Sequence, residues 1–576
     1  MANTGVAQGS DRAIHAWIKS YPQGVDWHMA LEPAPLFHLI ESAAARSPDR
    51  PCTTFLGRTL TYGEIGALVD RAAAGLQQIG VVKGTKVGLF LPNSPTFVIY
   101  YFAVLKAGGV VVNYNPLYSL DELTFQVKDS ETELMITLDL KVLFDKVEHL
   151  VAKKTLKGAV VCSFPALLPA AKAVLFKLFK GKELAKPHAS PVRDRLRLES
   201  EVLTDPALFE PVPIDPETDI AVLQYTGGTT GTPKGAMLTH ANVYLNVEQI
   251  AAWAPGLVHG QERVLAALPF FHVFAMTVVM NLGIKIAAEM ILMPRFVLAE
   301  ALDLITRHKA TLMPGVPTLF NAILNHPKIG SYNLGSLKIC ISGGAALPAE
   351  VRDGFMAATG CELVEGYGLS EASPVVTCNP LEGIVKHGSI GLPLPGTVLS
   401  LRDLSDPTRE VPRGERGEIC VAGPQVMRGY WNRPAETAAQ FAGGFLRTGD
   451  VGVMDDDGFF YVVDRIKDLI ICSGYNVYPR RIEEALYEHA AVEEAVVIGI
   501  PDRYRGEAPK AFVKLKAGQA ATKEELMAYL EIKISKLELP ADIAFRDTLP
   551  KTMIGKLSKK ELKAEETELA KHKRSS

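Results

Sequence analysis

Four glycines (Gly227, Gly228, Gly231, Gly235), four threonines (Thr226, Thr229, Thr230, Thr232) and one lysine, Lys234, are gathered in residues 226–235. Glycine lets a backbone turn tightly and brings its N–H groups close to an anion. Threonine hydroxyls add donors, and lysine adds a point charge suited to phosphate. This is the composition of a phosphate-gripping loop. A flexible linker is the bland alternative, but linkers rarely carry this density of Thr and Lys. The Walker A loop is excluded, because it needs Gly-x4-Gly-Lys-Ser/Thr. Here Pro233 precedes Lys234, and Gly235 stands where Ser or Thr is required.

Further stretches carry weaker signals. Residues 365–374 contain Tyr367, Ser370 and Glu371. A carboxylate beside a hydroxyl suits Mg2+ near a polyphosphate, since Mg2+ takes few protein oxygens and leaves the rest to water and phosphate. Tyr367 offers a face for a base; a capped turn with an exposed glutamate is the alternative. The glycines of 342–348 could receive a flat purine. Asp450, read as lying in a strand-edge turn, can accept both hydroxyls of a ribose. Residues 464–483 pack charge before an apolar strand and a Gly turn, and mark a domain junction or a plain linker. Lys556 follows Gly555, and on spacing alone it is a solvated lysine of the tail.

The elements that must hold these residues alternate. An apolar run, Ile220 to Leu223, leads into the loop as a short buried strand, and a helix is expected over 239–249. Upstream, strands at 52–55, 58–61, 86–91, 109–113 and 134–137 alternate with helices, one opening on the capping-box spacing of Thr61 and Glu64. Downstream, strands are expected at 264–268, 288–292, 312–315, 337–342 and 362–365. Such alternation predicts an α/β fold of parallel, helix-covered sheets. Beyond Pro380 short strands with frequent Gly and Pro predict a β-rich subdomain, and residues 482–545 a small α+β unit. A chain of 576 residues exceeds a single core.

A net charge of −3 gives no sign of a nucleic-acid binder. The cysteines form no C-x-x-C pair, so neither a zinc site nor a disulfide framework is suggested. There is no signal-peptide pattern at the start. The uncharged runs 87–105 and 264–284 contain turn-forming and polar residues and read as buried core rather than membrane spans. Residues 165–186 differ: Lys172, Lys177 and Lys180 fall on one arc of a helix, opposite Val174, Leu175, Leu178 and Phe179. Such a helix either lies on an anionic bilayer surface or packs on the domain with its lysines solvated.

Taken in order, these segments strongly resemble the adenylate-forming enzymes, from about residue 35 to 560. The closest likeness is to bacterial long-chain-fatty-acid–CoA ligases, through residues 367–371, 423–427, 429–431 and 473–479. The resemblance implies a large N-terminal domain (1–466, its β-rich part from about 380) and a small mobile C-terminal α+β domain (467–576), hinged at Lys467. It implies ATP and CoA as cosubstrates, Mg2+ as cofactor, and a fatty acid as acyl donor. By motif match, Thr226, Gly227, Gly228, Thr229, Thr230, Gly231 and Lys234 would hold the β- and γ-phosphates, and Glu371 with Thr226 the Mg2+. Gly344 and Ala345 would line the adenine. Glu365, Gly366, Tyr367, Gly368 and Ser370 would complete the nucleotide site, with Asp450 and Arg465 at the ribose. Lys556 would enter during adenylation, and Gly474 would replace it to guide CoA. Lys556, Glu371, Thr226 and Lys234 are the expected catalytic set. Ser370 replaces a commoner Thr, and Met553 and Ile554 depart from the pattern before Lys556.

Residues 270–275 align with the family's aromatic segment beside the acyl site, with His272 in its wall. Amino-acid-activating members carry an aspartate there, and this chain has none. Long-chain fatty acid is therefore the leading substrate. Medium-chain, dicarboxylic and aryl acids are the rivals within the family, and an inactive membrane-associated acyl-binding protein is the rival outside it. A cytoplasmic location is expected, with peripheral contact to the inner face of the membrane through 165–186; a homodimer is compatible with the resemblance.

Overall fold

The structure, a computed structural model, describes residues 15–226, 233–472, 475–502, 504–552 and 555–575. Two large sheets carry the N-terminal part. In the seven-stranded sheet, Leu196–Leu198, Gly158–Cys162, Leu134–Leu138, Lys86–Phe90, Val110–Asn113 and Ile220–Thr226 run parallel in that spatial order, and Lys234–Thr239 closes the edge antiparallel. In the nine-stranded sheet, Arg263–Ala266, Glu289–Leu292, Leu312–Gly315, Ile339–Gly343 and Glu362–Gly368 form a parallel centre with antiparallel strands at its edges. The expected helix-covered, mostly parallel sheets are therefore present. A third, five-stranded sheet holds Val398–Arg402, Gly417–Ala422, Phe445–Met454 and Phe460–Arg465, all antiparallel, as the β-rich texture predicts. One core runs from Trp17 to Phe460; separate smaller cores begin at Ile470 and Val496 around a sheet of long antiparallel strands, Val492–Asp502 and Gly506–Leu515.

Local sequence explains the elements that matter for the cleft. Helix Tyr62–Gln78 opens on the expected capping box: Thr61 Oγ1 accepts from Glu64 N–H, and Glu64 accepts from Thr61 N–H. The two uncharged runs resolve into core. The first is a strand followed by helix Pro95–Lys106, buried on every side up to Leu105 and started by Pro95 at its first position. The second is a strand followed by a buried π-helical stretch, Met276–Asn281. Among the described residues no helix is long and apolar enough to cross a membrane.

Two local expectations need correction. The phosphate loop does not run from a strand into a helix. The described residues flanking it form two antiparallel strands, Ile220–Thr226 and Lys234–Thr239, and helix His240–Trp253 follows the second. Asp450 does not sit in an edge turn but inside the strand Phe445–Met454, opposite Arg465. Residues 165–186 contain a helix, Ala170–Lys180, that carries the expected lysines and apolar residues; a 3-10 turn at Phe164–Leu167 precedes it and further 3-10 turns follow.

Candidate active site

The hairpin of Ile220–Thr226 and Lys234–Thr239 places Thr226 opposite Lys234 at its end. Gly227, Gly228, Thr229, Thr230 and Gly231 fall between them and lie outside the described residues. Residues 428–431 add to the hairpin's second strand: Met237 N–H donates to Gly429 O (2.9 Å), Arg428 N–H to Met237 O (3.0 Å) and Trp431 N–H to Gly235 O (2.8 Å). This pairing delivers Tyr430 to the cleft. The Lys234 ammonium lies 5.1 Å from the Tyr430 ring centroid, a cation–π distance. The Tyr430 hydroxyl donates to Glu371 Oε1 at 2.8 Å. Nothing in the sequence assigned Tyr430 a role, although it lies within one of the stretches that carry the family likeness.

A second group surrounds Asp450. Arg465 Nε lies 3.1 Å from Asp450 Oδ1, and the Tyr367 hydroxyl donates to Asp450 Oδ2 at 2.6 Å. A carboxylate has about four lone-pair sites, so both oxygens retain capacity for two ribose hydroxyls. The strand is braced by buried Glu418, which also lines the cleft. Its carboxylate pairs with Arg447 (2.8 Å) and accepts from Gly449 N–H (3.0 Å). Burial, with Asp450 adjacent, drives the Tyr367 phenol far up, so it stays a donor. Glu365, also buried, is pushed up to about 7 by desolvation, which Arg480 opposes.

Lys556 meets these groups from the C-terminal part. Gly344 has φ +81°, and a Cβ there would approach Lys556 Cε to 2.4 Å, so the lysine side chain lies against the glycine backbone. Thr318 Oγ1 donates to Gly555 O at 2.6 Å and fixes the approach. Burial pushes the Lys556 ammonium down to about 8; Arg465 acts in the same direction and Asp450 against it. His272 is pushed down to about 3 by burial and then by Lys556, so its ring is neutral. Its Nδ1 accepts from Phe274 N–H at 3.3 Å, which leaves Nε2 to carry the proton. Gln224 Nε2 donates to Phe271 O (3.1 Å) and ties this wall to the hairpin. Lys467, in the turn Ile466–Asp468, is pushed down by burial and Arg465. Gly474 lies outside the described residues.

All the described candidates line one cleft of about 1610 Å³: Thr226, Lys234, His272, Gly344, Ala345, Glu365, Gly366, Tyr367, Gly368, Ser370, Glu371, Asp450, Arg465, Lys467 and Lys556. The cleft continues along the sheet. Ile339, Ile341 and Gly343 alternate along one strand and so share a face. Ile250, Trp253 and Ala254, at helical spacing along His240–Trp253 and the residue after it, line the same cleft. One end of the cleft is thus polar, and the wall beyond it is apolar. Among the described residues no cluster of three or more His, Cys, Asp or Glu could hold a metal. Glu371 with one oxygen held by Tyr430, and Thr226 nearby on the same wall, fits an ion that takes most of its ligands from phosphate and water.

Comparison with known proteins agrees with this arrangement. The AMP-binding enzyme family matches residues 40–431, and the AMP-binding enzyme C-terminal domain matches residues 481–556. A long-chain-fatty-acid–CoA ligase of Bacillus subtilis is 46% identical over 562 residues, covering 96% of this chain and 98% of the relative. A ligase of the same name from Yersinia pestis is 39% identical over 564 residues, with the same coverage. Among solved structures, O-succinylbenzoate coenzyme A synthetase of Bacillus subtilis, in complex with ATP and magnesium ion, superposes with a TM-score of 0.72. It is 28% identical, and the match covers 91% of this chain and 99% of that one. With the Thr226–Lys234 strand pair, a braced aspartate–arginine pair and a C-terminal lysine meeting in one cleft, and with both family domains matched in order, this chain belongs to the AMP-binding enzymes.

Proposed function

We propose that the protein joins a fatty acid, long-chain first, to CoA in two steps with acyl-adenylate between them. The observation that carries the reading is the single cleft, where phosphate, ribose and lysine groups meet an apolar wall running along the sheet. In the first step a carboxylate oxygen attacks the α-phosphorus of ATP and pyrophosphate leaves. Thr226, the residues after it and Lys234 hold the β- and γ-phosphates. Asp450 and Arg465 hold the ribose, while Gly344 and Ala345 flank the adenine. Negative charge grows on the α-phosphate oxygens, and the Lys556 ammonium neutralises it. Glu371, with Thr226, would hold a Mg2+, which would supply further charge neutralisation there. The neutral imidazole of His272 faces the acyl group as a wall that adds no charge.

In the second step the CoA thiol attacks the acyl carbon and AMP departs. Lys556 must then leave. We propose that the C-terminal part (467–576) turns about Lys467 and brings Gly474 to the position that Lys556 vacates, so that one pocket serves both reactions. The absence of an aspartate in 270–275 speaks against an amino-acid substrate. We place the enzyme in the cytoplasm, in peripheral contact with the inner face of the membrane. A homodimer is compatible with this scheme but not required by it, since one chain supplies all the groups named.

Lys556→Ala separates the halves. It is expected to abolish acyl-adenylate formation, measured as pyrophosphate release, and to spare thioester formation from supplied acyl-adenylate. Equal loss of both halves would remove this role for Lys556. A panel of straight-chain acids, together with dicarboxylic and aryl acids, scored by AMP release with CoA present, tests the substrate class. Silence with every acid would overturn the ligase reading.

A further inference from the structure

Helix Ala170–Lys180 has no buried residue. Its apolar side chains are turned outward: Val174 is 57% exposed, Leu175 52%, Leu178 73% and Phe179 82%. At 3.6 residues per turn these four span an arc of roughly 140°. The opposite arc rests on the body through Phe176, whose ring centroid lies 5.0 Å from that of Phe164. The helix is also pinned by Lys172, whose ammonium donates to Leu56 O at 2.7 Å. The orientation is therefore fixed, with the apolar side away from the protein. This reverses the arrangement an ordinary surface helix adopts.

The charge around the stripe identifies what covers it. Residues 170–186 hold five lysines against one glutamate, Glu183, which pairs with Lys180 at 3.4 Å. Lys172 and Lys177 fall on either side of the apolar arc. A second copy docking through the same face would bring the lysines of both copies together, because a two-fold contact pairs a patch with itself. An anionic lipid surface matches both features: acyl chains receive the leucines and Phe179, and headgroup phosphates receive the lysines. We infer that helix Ala170–Lys180 is an interfacial docking helix, which seats the enzyme on an anionic bilayer with Val174, Leu175, Leu178 and Phe179 dipped into the headgroup–acyl boundary.

The test is co-sedimentation of the full chain, without substrates, with vesicles of phosphatidylcholine alone or of equimolar phosphatidylcholine and phosphatidylglycerol. Binding is expected to the anionic vesicles and to weaken as salt rises. Leu175→Glu with Phe179→Glu is expected to reduce it at least tenfold. Lys177→Glu with Lys180→Glu should lower it on anionic vesicles only. Both pairs are exposed, so thermal unfolding and ligase turnover with acid supplied in detergent should stay at the parent values. Undiminished vesicle binding by Leu175→Glu/Phe179→Glu would overturn the inference. So would a parent dimer that this variant converts to monomer in sedimentation velocity, since the patch would then serve a second copy. Neither result touches the ligase reading, because no substrate is present.

Discussion

Tyr430 lies between two charged groups, and its two parts serve them separately. The ring faces Lys234, and the hydroxyl donates to Glu371. Tyr430→Phe keeps the first contact and removes the second. A hydrogen bond to a charged group is worth about 1.5–3 kcal/mol. The variant should therefore lose roughly tenfold or more in kcat/KM for ATP and require more Mg2+, while Tyr430→Leu loses the cation–π contact as well. ATP–pyrophosphate exchange across a Mg2+ series reads this directly; an unaltered Mg2+ dependence would leave Tyr430 a purely structural residue. Lys556 gives a second prediction. Its working form is the protonated one, and burial has brought its pKa down to about 8. Charge is complete below that value and is lost as pH rises through it. The kcat/KM for ATP in adenylation should therefore fall with one ionisation near pH 8, by about tenfold per further pH unit. Thioester formation from supplied acyl-adenylate should show no such limb. A flat adenylation profile through this range would deny Lys556 its charge role.

The elements divide into those whose signals are local and those set by distant pairing. Parallel strands buried on both faces are continuous apolar runs, so Leu312–Gly315 and its neighbours are legible from the sequence. Helix starts are legible too, since Thr61 and Ser94 cap within three residues of themselves. The strand Lys234–Thr239 is not legible. Lysine, proline and glycine at its entry argue against a strand, and only pairing with Ile220–Thr226 and residues 428–431 makes it one. The same holds for Asp450: Gly449 and Asp450 suggest a turn, but pairing with Phe460–Arg465 holds them extended. Helix Ala170–Lys180 shows a third limit. Periodicity reveals that a helix has an apolar side, but not which side faces the body; the Phe176–Phe164 contact settles that. At the site, the residues carried by contiguous stretches were legible in order. Glu418 and Thr318 were not, because they act across sheet registers and across the cleft, and no local pattern marks them.

Over the whole molecule, the position of Lys556 depends on contacts between parts of the chain that are far apart in sequence. Helix Pro317–Leu324 supplies Thr318, which holds Gly555 O at 2.6 Å. At the other end of the junction, Arg480 N–H donates to Asp464 Oδ2 (2.9 Å), and its guanidinium to Val462 O (2.7 Å). If the C-terminal part alternates between two placements, contacts made only in this one favour adenylation over thioester formation. Thr318 lines the cleft, and its hydroxyl donates to Gly555 O, so the probe must change that hydroxyl alone. Thr318→Val keeps the shape and deletes the hydroxyl. A neutral hydrogen bond contributes about 1 kcal/mol net, so adenylation should slow roughly fivefold. Thioester formation from supplied acyl-adenylate should be unchanged or slightly faster, since the placement that holds Lys556 in the cleft is destabilised. Single-turnover measurement of each half-reaction decides the matter. Equal slowing of both would mean that the Thr318–Gly555 contact supports the cleft in general, and that the two placements, if they exist, are not distinguished there.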